Sequence, residues 1–259
     1  MTSSSLGSAK TSETDVPAIH VVERTGRPKS VVHAREIGGT PPSLSSRPSR
    51  RTVVLIAIAL AAAVLVTVPS VGKPILRAIG RVLVLDEPVA PADIIVIAPD
   101  SAGAGALQAA DLVHGGIATR VAVFTDPPGG EDLEFIRRGL PYEDLAARQI
   151  RQLGWLGVTD VVKIPRSEAG SEGESRILAP WCDQYAIRSV VFVAAIDHSR
   201  RIRRVLNRDM KGHTTRVMVQ AERYSGFDPD RWWQTRGGIR TAIIELEKLV
   251  LDVVLHPFS

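Results

Sequence analysis

Between positions 52 and 72 the chain reads TVVLIAIALAAAVLVTVPSVG, some twenty residues without a charge. A helix needs about 20 such residues to cross roughly 30 Å of hydrocarbon. The run is apolar all round rather than along one stripe, unlike the helix of a soluble core. Some fifty residues precede it, whereas a secretory leader has a short basic start and a shorter apolar stretch. Its expected state is an uncleaved transmembrane helix over 52–72.

The flanks divide the chain. Residues 1–51 are rich in Ser, Thr, Pro and Gly, with no period of 3.6 or 2, so they bury too little apolar surface to offset their ordering entropy. A disordered basic tail is expected. Of the 32 basic and 28 acidic side chains, 8 and 4 lie in that tail, leaving 24 of each sign in residues 52–259. The pI near 9.5 therefore belongs to the tail, and no field steers nucleic acid onto the folded part. Arg47, Arg50 and Arg51 crowd one end of the apolar run, while Lys73, Arg77 and Arg81 flank the other. The denser N-terminal cluster predicts a single-pass plasma-membrane protein with a cytoplasmic tail and an extracytoplasmic domain. Residues 73–90 read as a linker or approach helix, its three basic residues four apart on one face.

From 91 to 259 short β-branched runs alternate with helical stretches. Strands are expected near 92–98, 119–125, 159–165, 188–196 and 214–220. That alternation predicts an α/β fold: a three-layer, Rossmann-like α/β/α domain with a mostly parallel sheet of about five strands. From Arg231 to Leu255 the residues Trp233, Ile239, Ile243, Leu246, Leu249, Val250 and Val253 recur at three and four, predicting a long amphipathic helix packed on the sheet.

Ligands of such sheets bind beyond the carboxyl ends of the strands, so the strand ends carry the candidates. The first is followed by APDSAGAG, where Gly103 and Gly105 could bring backbone amides to a phosphate. They form only a G-x-G, with Asp126 the one acidic residue at the next strand end, so a nicotinamide or flavin site is not expected. The alternative is a small-residue turn that lets helix and strand pack closely. After the fourth strand comes IDHSRRIRRVL. Asp197 and His198 fall at its end, and Arg201 enters a helix N-terminus, where a cation is disfavoured unless an anion offsets it. His198 is the candidate acid or base, and Arg201 a bidentate contact to phosphate or carboxylate. Arg200, Arg203, Arg204 and Arg208 read as a solvated helix face. In SEAGSEGES, Glu168, Glu172 and Glu174 are a possible base or cation site, or helix-start carboxylates favoured by the dipole. The lone Cys182 excludes a disulfide framework and a Cys-clustered metal. The other histidines lack metal-ligand spacing, so no metal site is expected and no cofactor is assigned.

Taken in order, the apolar anchor, ADIIVI, AADLVHGG, the Glu-rich segment, VFVAAIDHSRRIRRVL and DRWWQTRGGIRTAIIELEKLVL resemble the YdcF/SanA/ElyC-like family of bacterial envelope proteins. The likeness spans roughly 90–253. Its most specific pieces are the His-x-x-Arg of His198 and Arg201 and the ending that holds Trp232, Trp233, Arg236, Arg240, Glu245 and Lys248. The resemblance implies a membrane-tethered Rossmann-like domain concerned with envelope integrity, cell-wall or lipid-carrier metabolism. It implies site roles for His198 and Arg201, with Glu174 where the family has an acidic residue. Two positions depart from the pattern: Gly105 stands where an Arg is usual, and Thr125-Asp126-Pro127 where Ser-Gly-Gly is usual. Both weaken a phosphate cradle. S-adenosylmethionine is among the family's associated ligands, and the incomplete glycine fingerprint argues against it here. The expected partners are the phospholipid membrane and a phosphorylated or otherwise anionic envelope precursor, bound by Arg201, Asp197, Gly103, Gly105 and Asp126, with His198 and Glu174 as the catalytic candidates. Two alternatives stay open: a small-molecule transferase or hydrolase using His198 with Glu174, and a non-catalytic module with a decayed site that acts through membrane protein partners.

Overall fold

The computed structural model describes residues 49–67, 69–166 and 170–259. The tail read as disordered lies outside them up to residue 48, as does Glu168. In chain order the elements are α1 (Arg50–Thr67), α2 (Pro69–Leu83), β1 (Ile94–Ile97), α3 (Ala102–His114), β2 (Val121–Thr125), α4 (Gly130–Arg137), α5 (Leu145–Trp155), β3 (Val161–Pro165), α6 (Ser171–Gln184), β4 (Ser189–Ala194), α7 (Ser199–Asp209), β5 (Arg216–Ala221) and α8 (Arg236–Leu255). Among the described residues no helix is long and apolar enough to cross a membrane.

The five strands form one all-parallel sheet in the order β3-β2-β1-β4-β5. The central strand β1, IIVI, is buried at every residue, as a strand covered on both faces must be. Its even-numbered residues Ile94 and Val96 join Phe124, Phe192 and Val219 in a core that α6 and α7 close with Leu178, Cys182, Ile202 and Leu206. Its odd-numbered residues Ile95 and Ile97 face the other way, meeting Ala106, Ala109 and Leu112 of α3 and Leu153 of α5. Helices therefore flank both faces, as the α/β/α expectation requires. Gly105 sits where α3 crosses β1, and a Cβ there would lie 2.0 Å from Ser101 Oγ and 2.7 Å from Ile97 Cγ2. The glycine permits that close approach.

A third core lies outside the sheet, where Leu83 of α2 packs with Trp232, Ala242 and Leu249. The indole of Trp232 donates to the Leu76 carbonyl at 2.7 Å, and Arg81 forms a bidentate pair with Asp230 at 2.7 and 2.9 Å. The approach helix is thus docked through α8. Beyond it, residues 84–90 run beside the edge strand, with Glu87 N donating to Val219 O and Val219 N to Glu87 Oε2.

Two expectations are corrected. The C-terminal helix starts at Arg236, capped by the Thr235 hydroxyl, and its buried line is Ala242, Glu245, Leu249 and Asp252. Ile239, Ile243, Val250 and Val253 are exposed, and α8 packs against α2 and α7 rather than the sheet. The arginines of α7 are the reason, and they are no solvated face. Arg200 donates to the Val82 and Val84 carbonyls, Arg203 to the Val217 carbonyl, and Arg204 and Arg208 to Asp252. Arg204 also reaches the carbonyls of His256 and Ser259. This fan of guanidinium groups ties α7 to the approach segment, to β5 and to α8.

Candidate functional site

Parallel strands point the same way, so the residues that follow them gather at one edge of the sheet. Asp100 follows β1, Asp126 follows β2, Arg166 follows β3, and Asp197 and His198 follow β4. The order reverses between β1 and β4, whose helices leave to opposite faces, which opens the crevice where such sheets bind ligands.

His198 is 6% exposed and lies between two carboxylates. Its Nδ1 is 2.7 Å from Asp197 Oδ1 in a hydrogen bond. Its Nε2 is 2.7 Å from Asp100 Oδ2 as an ion pair that lacks hydrogen-bond alignment. Burial opposes the charged ring, but contact with Asp100 and then Asp197 outweighs it and raises the imidazole to about 10. Asp100 shows the reverse balance: burial pushes its carboxyl up, and His198 with Arg201 brings it below the ordinary value. Next to Asp100 the backbone of Ala102 takes φ 44 and ψ −131, a left-handed conformation that a residue with a Cβ adopts only under strain. Strain of this kind is typical where surrounding structure fixes a functional turn.

Arg166 is buried and fully committed. Its Nε and Nη2 donate to Asp126 at 2.5 and 2.6 Å, and its Nη1 to Glu174 Oε1 at 2.6 Å. Glu174 comes from the first turn of α6 and is only 2% exposed. Burial pushes its carboxyl up and the Asp100 charge adds to that; Arg166 and His198 offset part, leaving it at about 7. Its second oxygen, Oε2, has no hydrogen-bond partner among the described residues. One turn earlier on α6, Ser171 Oγ accepts from Arg201 Nη1 at 3.2 Å, while Arg201 Nη2 reaches Glu245 Oε2 at 3.1 Å. Lys248 closes the chain on Glu245 Oε1 at 2.6 Å. Arg201 Nε is buried and also without a partner among the described residues.

The fold therefore brings together His198, Asp197, Glu174, Asp126 and Arg201. Gly103 and Gly105 lie in the first turn of α3, just after Asp100; a Cβ on Gly103 would face Gln152 of α5, and one on Gly105 the strand beneath. Asp100, Arg166, Ser171 and Glu245 were not singled out in the sequence as members of the site. The signal for Arg166 was its position directly after a strand of a parallel sheet, level with Asp126 on the neighbouring strand. Among the described residues no group of three His, Cys, Asp or Glu side chains can hold a metal ion.

The arrangement divides the chemistry. With its pKa near 10, His198 stays protonated at neutral pH and acts as a fixed cation rather than a base. Glu174 is the group poised to gain or lose a proton there. Beside Arg201 a cavity of about 300 Å³ has Ser171, Glu172, Arg201, Lys248 and Asp252 as its polar lining and Val205, Leu251 and Leu255 as its apolar lining. Comparison with protein-family models, with curated proteins and with solved structures finds no match for the chain.

Proposed function

We propose that this is a membrane-tethered protein of the bacterial envelope, of the YdcF/SanA/ElyC-like kind, whose strand-end site binds a phosphorylated or otherwise anionic envelope precursor. The observation that carries this reading is the set of unfilled positions in the buried strand-end cluster, Arg201 Nε and Glu174 Oε2, with His198 Nε2 lacking an aligned hydrogen bond. Arg201 Nε needs an acceptor, and Glu174 Oε2 needs a donor when ionised or an acceptor when protonated. A phosphate monoester supplies oxygens for Arg201 and, around neutral pH, an oxygen that the protonated Glu174 can donate to. The neighbouring cavity, where Arg201 and Lys248 are balanced by Glu172 and Asp252 beside an apolar surface of Leu251 and Leu255, gives room for the apolar body of a ligand whose anionic head reaches Arg201.

The tether is the uncharged stretch 52–72, which continues from α1 into the first turn of α2. Its support is exposure: Val53, Val54, Leu55, Ile56, Ile58 and Leu60 all stand open to solvent on one helix, a cost in water that a bilayer removes. The tail faces the cytoplasm and the α/β domain lies outside. A reporter fused after Ser259 that is active only outside the cytoplasm checks this, and activity only inside reverses it.

Catalysis on the bound precursor is a second reading, favoured by the Glu174 carboxyl at about 7. In that case Glu174 transfers the proton and His198 with Arg201 holds developing negative charge. A thermal-shift screen of the full chain in detergent micelles against isoprenyl phosphates, sugar nucleotides and S-adenosylmethionine tests the binding. A ligand at about 100 times its Kd adds about 2.7 kcal/mol. Stabilisation by a phosphate ester that is lost in Arg201→Ala supports the reading; a response to no anion sinks it.

A further inference from the structure

A second cavity, of about 500 Å³, lies on the opposite face of the sheet from α6 and α7. Its walls are the approach segment at Asp86 and Glu87, α3 at Gln108 and Asp111, and the end of β5 at Gln220 and Arg223. Gln220 alternates with Met218, which belongs to the core beneath α3, so its side chain enters on that side. No residue of this cavity belongs to the strand-end cluster.

The wall is rich in oxygen acceptors and poor in donors. Glu87 is spent on the Val219 amide at 2.8 Å and on Arg203 at 3.0 Å. Asp86 Oδ1 accepts from Gln220 Nε2 at 2.8 Å, and Asp111 accepts from the Tyr224 hydroxyl. The first of these bonds fixes which way the Gln220 amide points, since a carboxylate accepts only from the NH2 end. Gln220 Oε1 is then an acceptor, and it has no partner among the described residues; neither has Gln108 Oε1. Both glutamines are 4% exposed. Buried carboxamide oxygens are ordinarily satisfied, and two such oxygens in one acidic cavity call for a group that brings N–H donors and positive charge. The one cation in the wall, Arg223, is itself largely exposed and only 3.7 Å from Asp86. A metal ion does not fit, because among the described residues no three acidic or His side chains converge.

We propose that this cavity is a binding site for a small organic ammonium, such as an aliphatic diamine or a basic amino acid. Its head donates to Gln108 and Gln220 and is balanced by Asp86 and Asp111. With Glu87 neutralised by Arg203, Asp86 and Asp111 against Arg223 leave the wall one negative charge in excess, and the volume admits a molecule of a few carbons. Because Asp86 and Glu87 lie on the segment that joins α2 to the sheet, occupancy fastens the approach helix to the domain.

The test is calorimetric titration of the full chain in detergent micelles with cadaverine, with L-lysine, and with glucose as an uncharged donor. Saturable binding of either amine is expected, weakened about tenfold or more in Gln220→Leu and in Gln108→Leu, strengthened in Gln108→Glu, and unchanged in Arg201→Ala. Cadaverine preferred over lysine marks a diamine ligand; the reverse marks an amino acid. Absence of saturable amine binding overturns the proposal, as does binding indifferent to the leucine variants or matched by glucose. If a leucine variant does not fold, the Gln108→Glu arm decides: unchanged amine affinity there also overturns it.

Discussion

Two arginine-carboxylate networks lie side by side on α7, and they differ in completeness. The first, between α7 and α8, is closed. Arg204 satisfies Asp252 and two terminal carbonyls, and Arg208 takes the other oxygen of Asp252. The second, at the strand ends, has the same ingredients and more burial, yet leaves Arg201 Nε and Glu174 Oε2 unfilled. A closed network of this kind holds helices together. One left open in the crevice of a parallel sheet, with a cavity beside it, has the unfilled hydrogen-bonding positions on which we base the proposed ligand site.

The difference is sharpest in stability. Asp252→Ala strands two arginines among packed helices and should cost about 3 kcal/mol by urea denaturation. Arg201→Ala removes a donor that was not fully used and should cost clearly less. Equal losses would dissolve the distinction.

The networks should also respond oppositely to pH. Arg204 and Arg208 hold Asp252 below the usual carboxylate value, against an opposing push from burial. Its stabilisation is present above the ordinary 3.8 and is lost as pH falls through the folded value. Glu174 is raised from 4.5 to about 7, so ionising it weakens the fold: no penalty below 4.5, the full penalty above 7. Glu174→Gln should therefore raise stability at pH 8 by about 2 kcal/mol and change little at pH 4. A variant equally stabilised at both would show that the carboxyl is not held protonated.

His198 adds a step of its own. Raised from 6.5 to about 10, it contributes stability that is fully present below 6.5 and lost as pH rises through 10. His198→Gln should remove that step, on the order of 2 kcal/mol after allowing for the partly exposed Asp100. A similar loss is expected from Gly80→Ala, away from both networks. A Cβ there would come 2.1 Å from the Pro229 carbonyl and 2.6 Å from the Trp232 ring, an overpacking cost of about 1–3 kcal/mol. The melting temperature checks whether α2 is docked as described. The smallest effect is at Ala102, whose left-handed backbone suits glycine: Ala102→Gly should be neutral or stabilising by up to about 1 kcal/mol.

How far the sequence reveals this depends on which force orders each element. The sheet was legible because strands such as ADIIVIA and RSVVFVAAI are ordered by burial on both faces, which leaves an uninterrupted β-branched run. Helix α8 departs from its apolar spacing because two of its four buried positions are Glu245 and Asp252. Hydrophobic spacing cannot register a core made of carboxylates, and the arginines that bury them are some forty residues away. Asp197 and His198 could be placed from their own neighbourhood, at the end of a strand. Arg166 and Asp100 could not be paired with their partners, because residues level across parallel strands are distant in sequence: Asp126 and Arg166 are forty apart.

Phosphorus NMR of a short isoprenyl phosphate, titrated with the full chain in detergent micelles, tests the open network most directly. The phosphorus line should shift and broaden with the unaltered protein and with Arg208→Ala, which removes a cation of the closed network, and should stay at its free position with Arg201→Ala. A line unmoved by the unaltered protein, or moved equally by Arg201→Ala, would contradict the assignment of the strand ends as an anion site.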